Sequence, residues 1–232
     1  MNDTTGRVNL PFIVILIISL CFIASCAAKP HEETGFLGDH PEMKQTVNFH
    51  RLYIEPGTDF KTYKNVVIRE VNTSHLPEFK WYDNTYGEEE LKEVTEHTEK
   101  EFANALGGNY LIIKERPDYA TETLILELAL VKLAPVDKYS NVVSSALIYI
   151  PVSKGEVAIE GKLMDANSEK LVLMFTDARL GKQNVGNIKD FAKFMHAKDI
   201  INEWATELCG IMQMGQAERE GYFSGTFELK PW

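Results

Sequence analysis

The chain has 232 residues and a formal net charge of −10 at pH 7. Because nucleic-acid binding needs a clustered basic face, and none is visible here, the composition excludes a large nucleic-acid footprint. Hydrophobic residues make up 44% of the chain, which is enough for a real core. The length favours one domain with tails.

An uncharged apolar block at residues 10–26 follows a short, weakly charged start, as in a secretory signal with a small-residue cleavage site. The last four residues are Ile23-Ala24-Ser25-Cys26 and resemble the bacterial lipoprotein signal, in which the cysteine is acylated. We therefore predict cleavage between Ser25 and Cys26, removal of residues 1–25, and a lipid on Cys26. An uncleaved transmembrane helix is the alternative, since roughly twenty apolar residues can span a bilayer.

Both alternatives tether the body outside the inner membrane. Ala27 and Ala28 follow the lipid site with no Asp beside it, which in lipoproteins of this type indicates the outer membrane. We predict an outer-membrane lipoprotein that faces the periplasm. With Cys21 removed and Cys26 lipidated, Cys209 has no cysteine left for an intramolecular disulfide, and we interpret it as a buried small apolar residue.

The predicted domain organisation places a polar, aperiodic spacer at residues 26–49, one domain at residues 50–215 and an aromatic tail at residues 216–232. Within the spacer, Phe36 and Leu37 are bracketed by glycines. Exposed apolar residues of this kind mark a docking segment. They dock either onto a partner protein or onto the chain's own sheet, and we favour the second.

Hydrophobic periodicity predicts the elements of the body in the order strand, helix, strand, strand, hairpin, helix. The helices are predicted at residues 88–106, ended by two glycines, and at about residues 187–212, each with one apolar stripe. Residues 136–152 are predicted as a long connection with some strand character. The predicted strands are residues 64–71, 110–113 and 121–134, with a short extended piece at 51–57 and a hairpin of 155–164 and 169–176 turned at 165–168.

This order predicts an α+β fold, with a mostly antiparallel or mixed sheet and both amphipathic helices packed on one face. The strand at residues 121–134 is apolar on both faces, which favours a central position in the sheet.

Sequence motifs of the common enzyme classes are missing: there is no phosphate-binding glycine loop, G-x-S-x-G, H-E-x-x-H or calcium loop. Glu93 and His97 have helical i,i+4 spacing, but that face offers no further ligands, so a solvated surface is the better interpretation. Asp165 is best explained as a turn residue that caps its own backbone. We assign no catalytic residue, no metal ligand and no cofactor.

Several short motifs resemble a family of bacterial lipoproteins known as domain of unknown function 3313. They are a Gly-Phe-Leu element at residues 34–39, a Tyr-x-x-Pro-Gly stretch at residues 53–57, a Tyr-Lys-x-Val-x-Ile stretch at residues 63–68 and the hairpin turn at residues 165–169. The turn departs from the family pattern, because Glu169 comes one place early and the usual glycine is missing. The resemblance implies an envelope lipoprotein with an α/β body, and it implies no catalytic residues.

The leading functional hypothesis is a non-catalytic, periplasm-facing binding or assembly module, with the membrane as one partner through Cys26 and an envelope protein or polymer as another. Two alternatives remain open. One is a periplasmic hydrolase that uses a pair of carboxylates in a cleft. The other is a structural subunit of a homo-oligomer.

Overall fold

The computed structural model describes residues 32–77, 87–116, 121–134, 155–181 and 194–219. In these ranges six strands form one mixed sheet in the order β1-β6-β5-β4-β2-β3. The strands are β1 (Arg51–Ile54), β2 (Asn65–Ile68), β3 (Leu111–Ile113), β4 (Thr123–Ala134), β5 (Glu156–Asp165) and β6 (Leu171–Leu180), and the two long helices are α1 (Glu88–Leu106) and α2 (Met195–Gln213). The predicted α+β class with a mixed sheet is confirmed.

The centre of the sheet is the antiparallel run β6-β5-β4, whereas β2 pairs in parallel with both β4 and β3. Leu124, Leu126, Leu128 and Leu130 are all 1% exposed or less on one face of β4. A register shift between Leu130 and Lys132 then returns Leu133 to the same core. The predicted central position of this strand is confirmed.

Both helices contribute to the core on this side of the sheet, which we call the helix face. In α1 the buried stripe is Val94, Thr98, Phe102 and Leu106, and the helix has the predicted bounds. The Glu90 carboxylate accepts a hydrogen bond from the Gly87 N–H, so an acid stabilises the first turn. The α2 helix begins at Met195 in the structure, while residues 182–193, which include its predicted first turns, lie outside the described residues.

The predicted hairpin is formed by β5 and β6, and its turn is closed by Asp165. The Asp165 carboxylate accepts hydrogen bonds from the backbone N–H groups of Asn167 and Ser168, at 3.1 and 2.7 Å. The second strand runs four residues past the predicted end, to Leu180. The sequence hides this extension because Asp177 and Arg179 are polar, yet both side chains lie on the helix face.

Other predicted segments fall outside the described residues, namely the connection at 136–152, the signal at 1–25 and the tail from residue 220. None of the helices that the structure describes combines the length and apolarity needed to cross a bilayer.

The hairpin turn generates a prediction about Glu169, which has a left-handed φ of 57°. A residue with a Cβ pays about 1–2 kcal/mol in that conformation, whereas glycine does not. We expect Glu169→Gly to raise the melting temperature by about 2–4 °C, measured by calorimetry. Because the exposed pair of Glu169 with Arg116 is worth little, Glu169→Ala, which removes the pair but keeps the strain, is the matched control. A fall in melting temperature for the glycine variant would contradict the strain argument.

Candidate functional site

The face of the sheet opposite the helices is covered by residues 33–40, which we call the strap. Leu37 is 8% exposed. Phe36 is half-buried and packs against a small cluster of alanines and a valine on β4, β5 and β6. Lys162 lies over the Phe36 ring, with its Nζ 4.9 Å from the ring centroid. The structure therefore places Phe36 on the chain's own sheet and buries Leu37, and docking onto a partner through these two residues stays a prediction.

A buried carboxylate on β5 holds the strap in place. Glu160 is 0% exposed. It accepts hydrogen bonds from the backbone N–H of Thr34 at 2.8 Å and from the Thr34 hydroxyl at 3.1 Å. Because a carboxylate taken out of water needs donors to offset its desolvation, these contacts make the strap part of the fold. Sequence analysis missed Glu160, since one acid in an alternating strand looks like a solvated residue.

A second set of contacts joins the strap to the edge strand β1. The Glu33 carboxylate lies 2.7 Å from the Arg51 guanidinium and 2.8 Å from His40 Nε2. Burial raises the pKa of Glu33, but hydrogen bonds from His40 and Arg51 outweigh it, so the pKa is lowered. The pKa of His40 is raised, first by its hydrogen bond to the Pro41 carbonyl and then by Glu33. Both pKa shifts mean that the fold favours the charged forms of Glu33 and His40.

On the helix face, Asp177 is the centre of a polar network between β6, α2 and the start of β1. It is 3% exposed. One carboxylate oxygen accepts from Trp204 Nε1 at 2.6 Å and from Arg179 Nε at 2.7 Å. The other accepts from the His50 N–H at 3.1 Å and lies 2.8 Å from the His50 ring Nδ1. These contacts hold His50, the residue before β1, against Asp177 of β6.

Arg179 extends this network to the surface of α2. Its two terminal nitrogens donate to Glu203, Glu207 and the Asn48 carbonyl. Its guanidinium also lies 5.7 Å from the Trp204 ring centroid. Planar guanidinium groups suit such multiple, stacked contacts. One arginine thus connects β6, α2 and the loop before β1.

The Asp177 carboxyl is held in its charged form. Burial raises its pKa, but hydrogen bonding from His50, the charge of Arg179 and hydrogen bonding from Trp204 outweigh that effect, so the pKa is lowered. A general acid or base needs a pKa near the working pH and access to substrate. Asp177 has neither, which assigns it a structural role.

Beside the outer edge of β1 lies a groove of about 470 Å³. Its walls are formed by residues 52–58 with Glu42, Lys44, Gln216 and Arg219. Leu52 exchanges backbone hydrogen bonds with Lys44 on the side away from β6, at 2.8 and 2.9 Å. Since hydrogen-bonding directions alternate along a strand, the N–H and C=O of Ile54 also point away from β6, towards the groove.

The groove carries mixed charge. Lys44 and Glu42 are exposed on one wall. Glu55 accepts from the Tyr53 hydroxyl, which raises the pKa of Tyr53 to about 12. Arg219 is 6% exposed at the inner end. A groove with charged groups on its walls and the outward N–H and C=O of Ile54 beside it can bind a polar ligand.

The remaining predicted sites are only partly covered by the structure. Ser25 and Cys26 lie outside the described residues. Cys209 is half-buried and has a free thiol, with the Asn109 amide 3.5 Å from its sulfur. Among the described residues, no three His, Cys, Asp or Glu side chains are grouped so that they could hold a metal ion.

The model of the family described as protein of unknown function (DUF3313) matches residues 32–208. The chain belongs to this family. The DUF3313 match begins at the strap and ends within α2, so it includes both buried carboxylates. No curated protein matches the chain significantly.

Solved structures with a similar arrangement are distant from this DUF3313 protein. The PelC dodecamer from Paraburkholderia phytofirmans matches with a TM-score of 0.42 and 13% identity, over 71% of this chain and 96% of PelC. Lipoprotein GNA1162 from Neisseria meningitidis matches with a TM-score of 0.27 and 12% identity, over 61% of this chain and 98% of that protein. At these values the neighbours do not define the function of this chain.

The Asp177 network generates a prediction about stability. We expect Asp177→Asn to lower the free energy of unfolding by about 3 kcal/mol, because it removes the buried charge that accepts from Trp204, from Arg179 and from the His50 N–H. Trp204→Phe removes one donor and keeps most of the ring, so a smaller loss of about 1–3 kcal/mol is expected. Urea unfolding at neutral pH measures both. Glu122→Gln, which breaks an exposed pair with Lys64, is the control, and an equal loss for it would contradict the assignment.

The lowered pKa of Asp177 also predicts a pH dependence. In the unfolded chain the carboxyl titrates near its ordinary pKa of 3.8, and in the fold it titrates lower. Its contribution to stability is therefore complete above about pH 4 and is lost as the pH falls through the folded pKa. Urea unfolding of the unmodified chain between about pH 6 and about pH 3 should show this loss. The same loss in Asp177→Asn would refute its origin in Asp177.

Proposed function

We propose that this DUF3313 protein is an outer-membrane lipoprotein whose body faces the periplasm and serves as a non-catalytic binding or assembly module. The observation that carries the proposal is the lipoprotein-type sequence Ile23-Ala24-Ser25-Cys26 at the end of the apolar block. In the proposal, cleavage leaves Cys26 as the first residue, and its acyl chains supply the membrane anchor. Stable anchoring takes more than one lipid chain.

The short distance along the chain between the lipid site and the strap supports this role. Thr34 is bonded to the buried Glu160, and it follows Cys26 by eight residues, 34 − 26 = 8. Eight residues extend to at most about 28 Å. An anchor on Cys26 would therefore hold the strap within that distance of the bilayer, while the helices lie on the opposite face of the sheet.

The environments of Asp177 and Glu160 favour a structural role for these two carboxylates over a role in hydrolysis. A carboxylate pair for hydrolysis needs one acid with a raised pKa and a second that faces the substrate. Asp177 is buried with a lowered pKa. Glu160 is fully buried and bonded to Thr34. Both carboxylates stabilise packing between layers of the fold.

The terminal strand β3 offers a surface for assembly. It is at one end of the sheet and pairs with β2. Its first residue, Leu111, is 65% exposed. Unpaired strand edges with exposed apolar side chains invite pairing with another chain. This observation favours the homo-oligomer as the second candidate function.

The anchor is tested by replacing Cys26. We expect Cys26→Ser to abolish lipid attachment and to leave an unprocessed amino terminus, because the modifying enzymes need the thiol. Intact-mass analysis and detergent partitioning of the membrane fraction measure both effects. Cys209→Ser is the matched control and should keep the lipid. An unmodified Cys26 in the native protein would refute the proposal.

The assembly surface is tested by placing a charge on the edge of β3. If copies pair there, Leu111→Lys should reduce the oligomer to monomer, since inward or edge lysines block strand pairing. Native mass measurement of the detergent-solubilised protein gives the state. Val47→Lys, at another apolar residue that is 56% exposed, is the control. A monomeric unmodified chain would remove the homo-oligomer candidate and leave the anchored binding module untouched.

A further inference from the structure

The groove beside β1 has a buried cation with an unused donor at its inner end. Arg219 is 6% exposed and lines the groove. Its Nη2 donates to the Thr58 carbonyl, and its guanidinium carbon lies 5.0 Å from the Phe60 ring centroid. Its Nη1 is buried and has no hydrogen-bond partner among the described residues. Because burying an N–H without an acceptor is costly, this nitrogen needs an oxygen acceptor.

We propose that the groove binds a small zwitterion, namely an α-amino acid or a short peptide, whose free carboxylate pairs with Arg219 Nη1. This inference rests on the binding function proposed above and names the class of ligand. The contacts of Arg219 with Thr58 and Phe60 hold the plane of the guanidinium, so its remaining nitrogen is preorganised for an acceptor. Hydrogen bonds between a guanidinium and a carboxylate are charge-assisted and are among the stronger ones.

The charges on the walls favour a carboxylate over a phosphate. The groove has Lys44 and Arg219 as cations and Glu42 and Glu55 as anions, so these four side chains have no net formal charge. A phosphate group with a charge of about −2 at neutral pH would be repelled by both glutamates. A carboxylate carries a single charge, which Arg219 alone can match.

The exposed side of the groove favours a positive group on the same ligand. Glu42 and Glu55 are both exposed there, beside Lys44. Glu55 also accepts a hydrogen bond from the Tyr53 hydroxyl, which restricts its side chain. A ligand with its carboxylate at the inner end and an ammonium group at the exposed end would therefore meet opposite charge at both ends. Complementarity of this kind fixes the orientation of the ligand.

The size of the groove and the backbone beside it fit a short ligand. Its volume of about 470 Å³ lies within the range of about 300–1,000 Å³ that is typical of small-molecule sites. The outward N–H and C=O of Ile54 can bond to one peptide unit. Those of Leu52 are already bonded to Lys44. A long extended peptide would thus find no continuous strand edge here, whereas a short one needs none.

Calorimetric titration of the full chain in detergent tests the ligand class. The probe is the tripeptide trialanine, and the matched probes are its carboxyl-terminal amide and its N-acetyl form. We expect saturable binding of trialanine and binding at least about tenfold weaker for the amide, which loses the charged acceptor. The N-acetyl form, which loses the ammonium group, should also bind more weakly. Equal binding of trialanine and its amide, or no saturable binding of trialanine, would overturn the proposal.

Replacing Arg219 locates the carboxylate. Arg219→Gln should abolish the preference for trialanine over its amide, because the charged donor is gone. Arg116→Gln, at an exposed arginine that pairs with Glu169, is the matched control and should keep the preference. A melting curve establishes that each variant folds. A preference that survives in folded Arg219→Gln would contradict the assignment.

Glu42→Gln gives a second measurement at an exposed position, and it decides together with the amide comparison if Arg219→Gln does not fold. It should reduce the preference for the free amine over the N-acetyl form and leave the preference for the acid over the amide unchanged. The reverse result would overturn the proposed orientation. The lipid on Cys26 is measured separately by intact mass, so a lipidated chain that does not bind trialanine would refute the ligand class and leave the anchor standing.

Discussion

In the part of the chain that the structure describes, each face of the sheet has a buried carboxylate, and each carboxylate needs hydrogen-bond donors from a particular neighbour. On the helix face Asp177 requires the indole N–H of Trp204 and the guanidinium of Arg179. On the opposite face Glu160 requires the N–H and hydroxyl of Thr34. Because an unpaired buried carboxylate costs several kcal/mol, the sheet would be unstable without the strap and the helices. The stable unit is therefore three layers, namely strap, sheet and helices.

The spacing of apolar residues was enough to predict those parts of the fold that depend on apolar packing. The bounds of α1 and the central place of β4 follow from leucines, valines and a phenylalanine at regular spacing. The last residues of β6 escaped the same reasoning, because Asp177 and Arg179 interrupt the apolar pattern while facing the core. The burial of Asp177 depends on Trp204, which lies 27 residues away in sequence. Periodicity within one segment cannot reveal such a partner.

The strap and the groove show a different limit of sequence reasoning. Residues 26–49 are polar and aperiodic, which predicted a spacer, yet Leu37, Thr46 and Phe49 are buried against the body. Short apolar pairs next to glycines gave a signal for Phe36 and Leu37, but nothing local linked Thr34 to Glu160. The groove is lined by Glu42 and Lys44, by residues 52–58, and by Gln216 and Arg219, which follow α2. No local pattern predicts a surface assembled from three distant segments.

Strand β1 shows why the amino-terminal contacts matter for the rest of the molecule. With only four residues, it could not keep its place on β6 by backbone pairing alone. Arg51 is held by Glu33 of the strap, and His50 is held by Asp177 of the network. Contacts from both sides of the sheet thus hold this strand.

The ionic contacts of the strap act within a definite pH window. His40 has a raised pKa, so its contribution is complete below its ordinary pKa of 6.5 and is lost as the pH rises through the folded value. Glu33 has a lowered pKa, so its contribution is present above its ordinary pKa of 4.5 and is lost as the pH falls through the folded value. The pair therefore holds the strap most firmly in mildly acidic conditions. At neutral pH and above, Arg51 and the buried bonds of Glu160 carry a larger share of the attachment.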